Sequence, residues 1–172
     1  GFRVPRHQEL ASHFLDYLQD ELRLDGIYED PDLTPQPHPA ALPGKMLTRI
    51  DEVLRKIHWR ARDVHAFAGR YLTEPKAHTV FNPPAKPLTL TAFQRHIAKH
   101  GVRLALPSRM LFNNSTFFIN GELHHVSATD RAALITLANR RDMPPTSLRA
   151  AAARLLHGWY RAGYVDIFDI DI

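Results

Sequence analysis

The sequence predicts an α+β chain in two parts, a helical region followed by a small mixed domain. Three observations carry this. Apolar residues recur at helical spacing through residues 1–74, and a proline-rich segment over 75–87 then interrupts the pattern. Beyond it, Asn120-Gly121 between two short apolar runs marks a β-hairpin.

The elements follow in order. Pro5 suits the first turn of a helix reaching about Leu24, which Gly26 ends. Leu10, Phe14, Leu18 and Leu22 recur every four residues and make one apolar stripe. From Tyr28 to Ala40, prolines 31, 35, 37 and 39 hold the chain extended as a stiff strap. Pro43-Gly44 opens a second helix to about Trp59, with Met46, Ile50, Val53, Leu54 and Ile57 as its expected buried face. A third helix, about Ala61 to Leu72, carries Val64, Phe67, Ala68 and Tyr71 and stops before Pro75. Three short helices make a thin core, so stripes this apolar are expected to pair with another subunit. Leu10, Phe14, Leu18, Ile50, Val53, Leu54 and Ile57 are the candidate dimer-interface residues.

Prolines 75, 83, 84 and 87 make residues 75–87 the expected linker. Thr91 is the expected cap of a helix over Ala92 to His100, closed by Gly101. Strands are expected at Val102–Leu106, Arg109–Phe112, Thr116–Ile119 and Glu122–Val126. Ser127 with Asp130 forms a capping-box variant that starts a helix to about Asn139. Pro144-Pro145 and Thr146 start another, through Leu148, Ala152, Leu155, Leu156 and Trp159, closed by Gly163 before a strand at Tyr164–Phe168. A helix, a small sheet, two consecutive helices and a return strand read as a winged-helix-like α+β domain over 88–172.

Composition narrows the function classes. The chain has 172 residues and no cysteine, which removes disulfides, thiolate metal sites and Cys nucleophiles and fits a reducing, cytoplasmic setting. No run approaches the roughly 18 apolar residues of a membrane span, and residues 1–6 show no apolar segment of a signal peptide. Of the net charge of +4, residues 88–165 hold an excess, 10 Lys+Arg against 3 Asp+Glu. That excess fits a phosphate-rich or acidic partner.

Chemistry is harder to find. His96 and His100 lie at i, i+4, but no further ligand neighbours them and Lys99 adds repulsion, so they read as a polar helix face. His58 and His65 share a basic side with Arg62. His7-Gln8-Glu9 matches half of a facial triad, yet on a helix i and i+2 point apart. His124-His125 is expected to face opposite ways on a strand. There is no G-x-S-x-G, Walker loop or G-x-G-x-x-G. No catalytic and no metal residue is assigned. Late arginines offer a nucleic-acid reading, with Arg140, Arg141, Arg149 and Arg154 as candidate contacts. The helix bearing the last two is alanine-rich, with no Asn or Gln to read bases, so a structural role is preferred.

Several short motifs occur in a fixed order: Gly1-Phe2-Arg3-Val4-Pro5, Tyr28-x-Asp30-Pro31-Asp32, His38-Pro39-Ala40, Phe81-x-Pro83-Pro84, Val102-Arg103-Leu104 and Phe118-Ile119-Asn120-Gly121-Glu122. This pattern resembles the C-terminal half of the bacterial cupin/JmjC-type ribosomal oxygenases, the ribosomal protein arginine hydroxylases. The resemblance implies a helical dimerisation region (1–74), a linker (75–87) and a winged-helix domain (88–172). It implies a homodimer and, for the parent protein, Fe(II), 2-oxoglutarate and a ribosomal protein substrate. The opening motif looks like the exit from the family's catalytic barrel, so this chain is expected to hold none of the His-x-Asp…His site and no cofactor of its own. Seven excess positive charges would not draw in a basic substrate, so a local acidic surface or the barrel is expected to hold it. A nucleic-acid- or ribosome-binding module is the alternative.

Overall fold

In the computed structural model, residues 5–29, 34–35 and 37–168 are described. The opening motif through Val4, four strap residues from Asp30 to Leu33, and Gln36 lie outside them. The chain divides into two units, Gly1–Val64 and His65–Ile172. The expected linker, 75–87, therefore runs within the second unit.

In the first unit, α1 (His7–Glu21) begins where the Arg6 N–H donates to the Glu9 carboxylate at 3.4 Å. That bond explains Glu9 as a local cap. α2 (Gly44–Leu54) follows Pro43 and ends earlier than expected. The N–H groups of Lys56 and Ile57 turn back to the carbonyls of Val53 and Leu54, at 3.1 and 3.0 Å, and tighten the chain out of the helix. Trp59 then meets Phe14 edge-on, with ring centroids 5.5 Å apart. α3 (Ala61–Thr73) starts where the Arg60 N–H donates to Asp63 at 2.7 Å. The expected burial of the α2 face is not found, because no residue of α2 is buried within the chain. The apolar period is real, but this unit has too few elements to cover it.

The second unit holds a close-packed core. Thr89, not Thr91, caps α4 (Leu90–His100), its Oγ1 accepting from the Ala92 N–H at 3.3 Å. Gly101 closes the helix at φ 79°. β1 (Val102–Leu104) is shorter than expected. β2 (Met110–Asn113), β3 (Thr116–Ile119) and β4 (Glu122–His125) form an antiparallel meander with Met110 opposite Ile119 and Phe117 opposite His124. α5 (Arg131–Arg140) leads into β5 (Asp142–Met143), a two-residue strand that no sequence period could show. α6 (Ala150–Arg161) starts later than Thr146, whose hydroxyl instead donates to the Pro144 carbonyl at 2.7 Å. β6 (Val165–Ile167) completes an antiparallel sheet of order β5-β1-β6, with Val102 opposite both Met143 and Ile167.

Phe93, Ile97, Phe117, Ile119, Leu134, Leu137 and Leu156 are fully enclosed between these helices and sheets. The Phe93 ring stacks on Tyr160 with centroids 5.1 Å apart. The hairpin turn follows the sequence rule, because Asn120 (φ 48°) and Gly121 (φ 87°) both occupy positive φ. Gly121 N–H donates to the buried Thr73 Oγ1 at 3.0 Å, and that hydroxyl donates to the Gly69 carbonyl at 2.8 Å. A side chain at Gly69 would run into the Phe118 ring, so glycine lets α3 lie directly on the meander. Among the described residues, no helix is long and apolar enough to cross a membrane.

Candidate functional site

The first candidate surface is the apolar ridge of the first unit. On α1, Leu18 is buried, while Leu10 and Phe14 are half-buried; Phe14 packs on Trp59 and Tyr17. On α2 and just beyond it, Leu47, Ile50, Val53, Leu54 and Ile57 are 49, 39, 39, 56 and 37% exposed. Leu47, Ile50 and Leu54 follow helical spacing along α2 and form one apolar ridge, and Ile57 follows it just past the helix end. Sequence reasoning missed Leu47, although its position three residues before Ile50 was the available signal.

The second surface surrounds α6. Asp130 is 5% exposed and makes no cap bond to its own helix. Its Oδ1 accepts from the Arg149 N–H at 3.2 Å and its Oδ2 from the Ser127 hydroxyl at 3.0 Å. The expected Ser127–Asp130 pair thus exists, but the carboxylate serves the start of α6 instead. Burial is tolerated because both oxygens are satisfied. Beside it, β4, the following loop and α6 enclose a cavity of about 340 Å³ lined by His124, His125, Ser127, Asp130, Ala151 and Leu155 among others. His124 meets Trp159 of α6, with ring centroids 5.4 Å apart, whereas His125 Nδ1 lies 3.3 Å from Thr116 Oγ1, the residue opposite it on β3, as strand alternation expects. His124 Nε2 lies 3.2 Å from a Glu122 oxygen and 3.4 Å from the Trp159 indole nitrogen. The tautomer with its hydrogen on Nε2 donates to the carboxylate, and the other accepts from the indole N–H. The other Glu122 oxygen accepts from the Tyr164 hydroxyl at 2.9 Å. Burial first, then this bond to Glu122, raises the Tyr164 pKa above its ordinary value.

The four candidate arginines occupy different settings. Arg141, in the left-handed region at φ 64°, donates to the carbonyls of Ala105 (2.9 Å), Leu106 (3.2 Å) and Ser108 (3.1 Å). Arg140 pairs with Asp142 at 3.3 Å. Arg149 and Arg154 are exposed at the start and middle of α6, and Arg161 is exposed in its last turn. Nothing local in the sequence marks Arg141 as a clamp for a loop more than thirty residues earlier.

The histidine pair on α4 is close, with His96 and His100 ring centroids 4.8 Å apart. His96 Nε2 is buried without a hydrogen-bond partner among the described residues. Desolvation first and the neighbouring His100 second lower its pKa below the ordinary 6.5. Among the described residues no group of three or more His, Asp or Glu converges on one point. The residues described here do not fit the Fe(II) ion that the resemblance implies for the parent.

A family model described as ROXA-like winged helix matches residues 38–166. The chain belongs to the ROXA-like winged-helix family. The six helices and two small three-stranded sheets among the described residues agree with that family's α+β, winged-helix domain. The Escherichia coli (strain K12) ribosomal protein uL16 3-hydroxylase is 28% identical over 141 residues, 81% of this chain and 37% of that protein. The X-ray structure of E. coli YcfD matches with a TM-score of 0.73 and 24% identity, covering 98% of this chain and 46% of that one. The structure of YcfD, described as a ribosomal oxygenase, in complex with cobalt and 2-oxoglutarate matches with a TM-score of 0.71 over 48% of its chain. This member of the ROXA-like family thus spans less than half the length of these relatives, and at 24% identity the structural likeness carries the fold.

Proposed function

We propose that this chain is the non-catalytic assembly and substrate-holding region of a cytoplasmic, Fe(II)- and 2-oxoglutarate-dependent ribosomal protein hydroxylase. Residues 1–74 supply homodimerisation, 75–87 connect, and 88–172 form the accessory winged-helix domain. Chemistry belongs to a cupin barrel outside these 172 residues, acting on a ribosomal protein of the uL16 kind. The reading is supported by the ROXA-like match and by relatives named as ribosomal protein hydroxylase and ribosomal oxygenase. One observation carries the assembly part: the Leu47–Ile57 ridge stays uncovered in its own unit. Apolar ridges of this kind are what an isologous interface covers.

Size-exclusion chromatography with light scattering tests it. The chain is expected to run as a dimer at tens of micromolar. Ile50→Asp is expected to yield monomer, since burying an unpaired charge costs about 3–5 kcal/mol. A monomeric wild type at that concentration overturns the assembly reading.

A further inference from the structure

β4 is an outer strand of the meander, since the order β2-β3-β4 gives it one hydrogen-bonded neighbour among the described residues. The Val126 N–H donates to the Ser115 carbonyl at 3.0 Å, so these two residues are a hydrogen-bonded pair of the antiparallel ladder. Such pairs alternate with open ones. Phe117–His124 and Ile119–Glu122 are then bonded pairs, and Thr116–His125 and Phe118–Leu123 are open ones. The backbone N–H and C=O groups of Leu123 and His125 therefore point away from β3. Among the described residues no backbone group of a helix or loop takes them.

That edge opens onto the cavity of about 340 Å³. Leu123, His124, His125 and Val126 all line it, although their side chains alternate between the two faces of the meander. A space that meets four consecutive residues meets the strand along its edge. The facing wall is α6, through Ala151, Ala152 and Leu155. An edge strand facing a helix across an open groove suits strand addition, in which main-chain bonds give affinity and side-chain pockets give selectivity. Two alanines in the wall leave room for an apolar side chain of the added strand. Charge narrows the choice further. α6 has no acidic residue, and Arg149 and Arg154 stand exposed on either side of Ala151. Asp130, the acid in the wall, has both oxygens bonded within the protein.

We propose that β4 and α6 bind an extended, acidic peptide segment of a partner protein by strand addition. The segment pairs with the backbone of Leu123 and His125 and sets apolar side chains against Ala151, Ala152 and Leu155. Carboxylates flanking that apolar centre meet Arg149 and Arg154. The site lies wholly in the second unit, so it stands or falls apart from the assembly reading, which concerns α2 in the first.

Fluorescence anisotropy of the 172-residue chain with a labelled heptapeptide, valine-threonine-valine flanked by two glutamates on each side, tests this. Binding is expected. N-methylation of one alternate set of the peptide's residues is expected to abolish it, and methylation of the other set to be tolerated. His125→Pro removes an outward N–H at an exposed edge position, where proline is accepted, and is expected to weaken binding about tenfold, the worth of one or two hydrogen bonds. Arg154→Glu is expected to weaken it too, and to admit the same peptide with lysine in place of glutamate. On binding, amide exchange should slow at Leu123 and His125, whereas His124 is protected beforehand. Circular dichroism confirms that each variant is folded. No binding, tolerance of both methylated sets, or unchanged exchange at Leu123 and His125 overturns strand addition. Equal affinity of the wild type for the lysine peptide overturns the acidic assignment. A dimer that His125→Pro converts to monomer assigns the edge to a second copy and overturns the peptide.

Discussion

The two units use the same sequence signal in opposite ways. α2 and α6 both show a strong apolar period, yet no residue of α2 is buried and five of α6 are. The difference lies in what surrounds them. α6 packs against α4 and β6, with Phe93 stacked on Tyr160 and His157 tilted beside it. α2 belongs to a unit with one other complete helix and a proline-rich strap. Periodicity therefore reports that a face is made to be covered, but the number of neighbouring elements decides whether its own chain covers it.

The sharpest way to break this contrast is to truncate one residue on each side of it. Phe93→Ala should cost about 3–5 kcal/mol, because a fully enclosed ring leaves a cavity the core cannot collapse into. Ile50→Ala should leave the unfolding of the second unit within about 0.5 kcal/mol of wild type and alter only the concentration dependence of the melt. Urea titrations at two protein concentrations measure both. Equal losses would mean that the two ridges are covered alike.

Gly69→Ala comes next in size. The methyl group meets the Phe118 ring, itself 3% exposed and unable to swing into solvent. The overpacking should cost about 1–3 kcal/mol, read from the urea midpoint. Asp130→Ala should cost about 1–2 kcal/mol, since it frees the Arg149 N–H and the Ser127 hydroxyl together. Hydrogen exchange localised to the first turn of α6 would identify the cause. A loss spread over α5 instead would show that Asp130 serves its own helix.

The smallest effect is a pH dependence. The His96 pKa is lowered in the folded state, so the unfolded chain takes up a proton first as pH falls. The stability from neutral His96 is therefore present above about pH 6.5 and declines as pH falls through the lowered value. The facing groups are His100 on the same helix and the Phe168 backbone from beyond β6. His96→Gln should flatten the stability profile between pH 7 and 5 relative to wild type, as measured by thermal melts. An unchanged profile would assign the acid sensitivity to other groups.

Legibility in the sequence followed the range of the interaction. Asn120-Gly121 was readable because a two-residue turn carries its own φ requirement. Gly101 was readable as a helix end for the same local reason. The cap of α4 was misplaced by two residues, because Thr89 and Thr91 are chemically alike and only the fold selects one. β5 was invisible, since two residues have no period and Met143 pairs only because Val102 lies opposite. The roles of Asp130 and Arg141 were out of reach, because their partners, Arg149 and the Ala105–Ser108 loop, lie far along the chain. The cavity beside α6 has the same origin: its walls come from β4, a loop and a helix that only tertiary packing brings together.

The strand order β5-β1-β6 has a consequence for synthesis on the ribosome. β1 is made first but sits in the middle, and its two neighbours arrive only with Met143 and with Val165–Ile167. The β2–β4 meander needs no later residue for its ladder and can form as soon as it emerges. Until Asp142–Met143 emerge, both edges of Val102–Leu104 stay unpaired, and one edge stays open until Val165–Ile167 follow, exposed to a wrong strand or a chaperone. The strand made first in this sheet thus waits longest for its last partner, and β6 is the element that seals it.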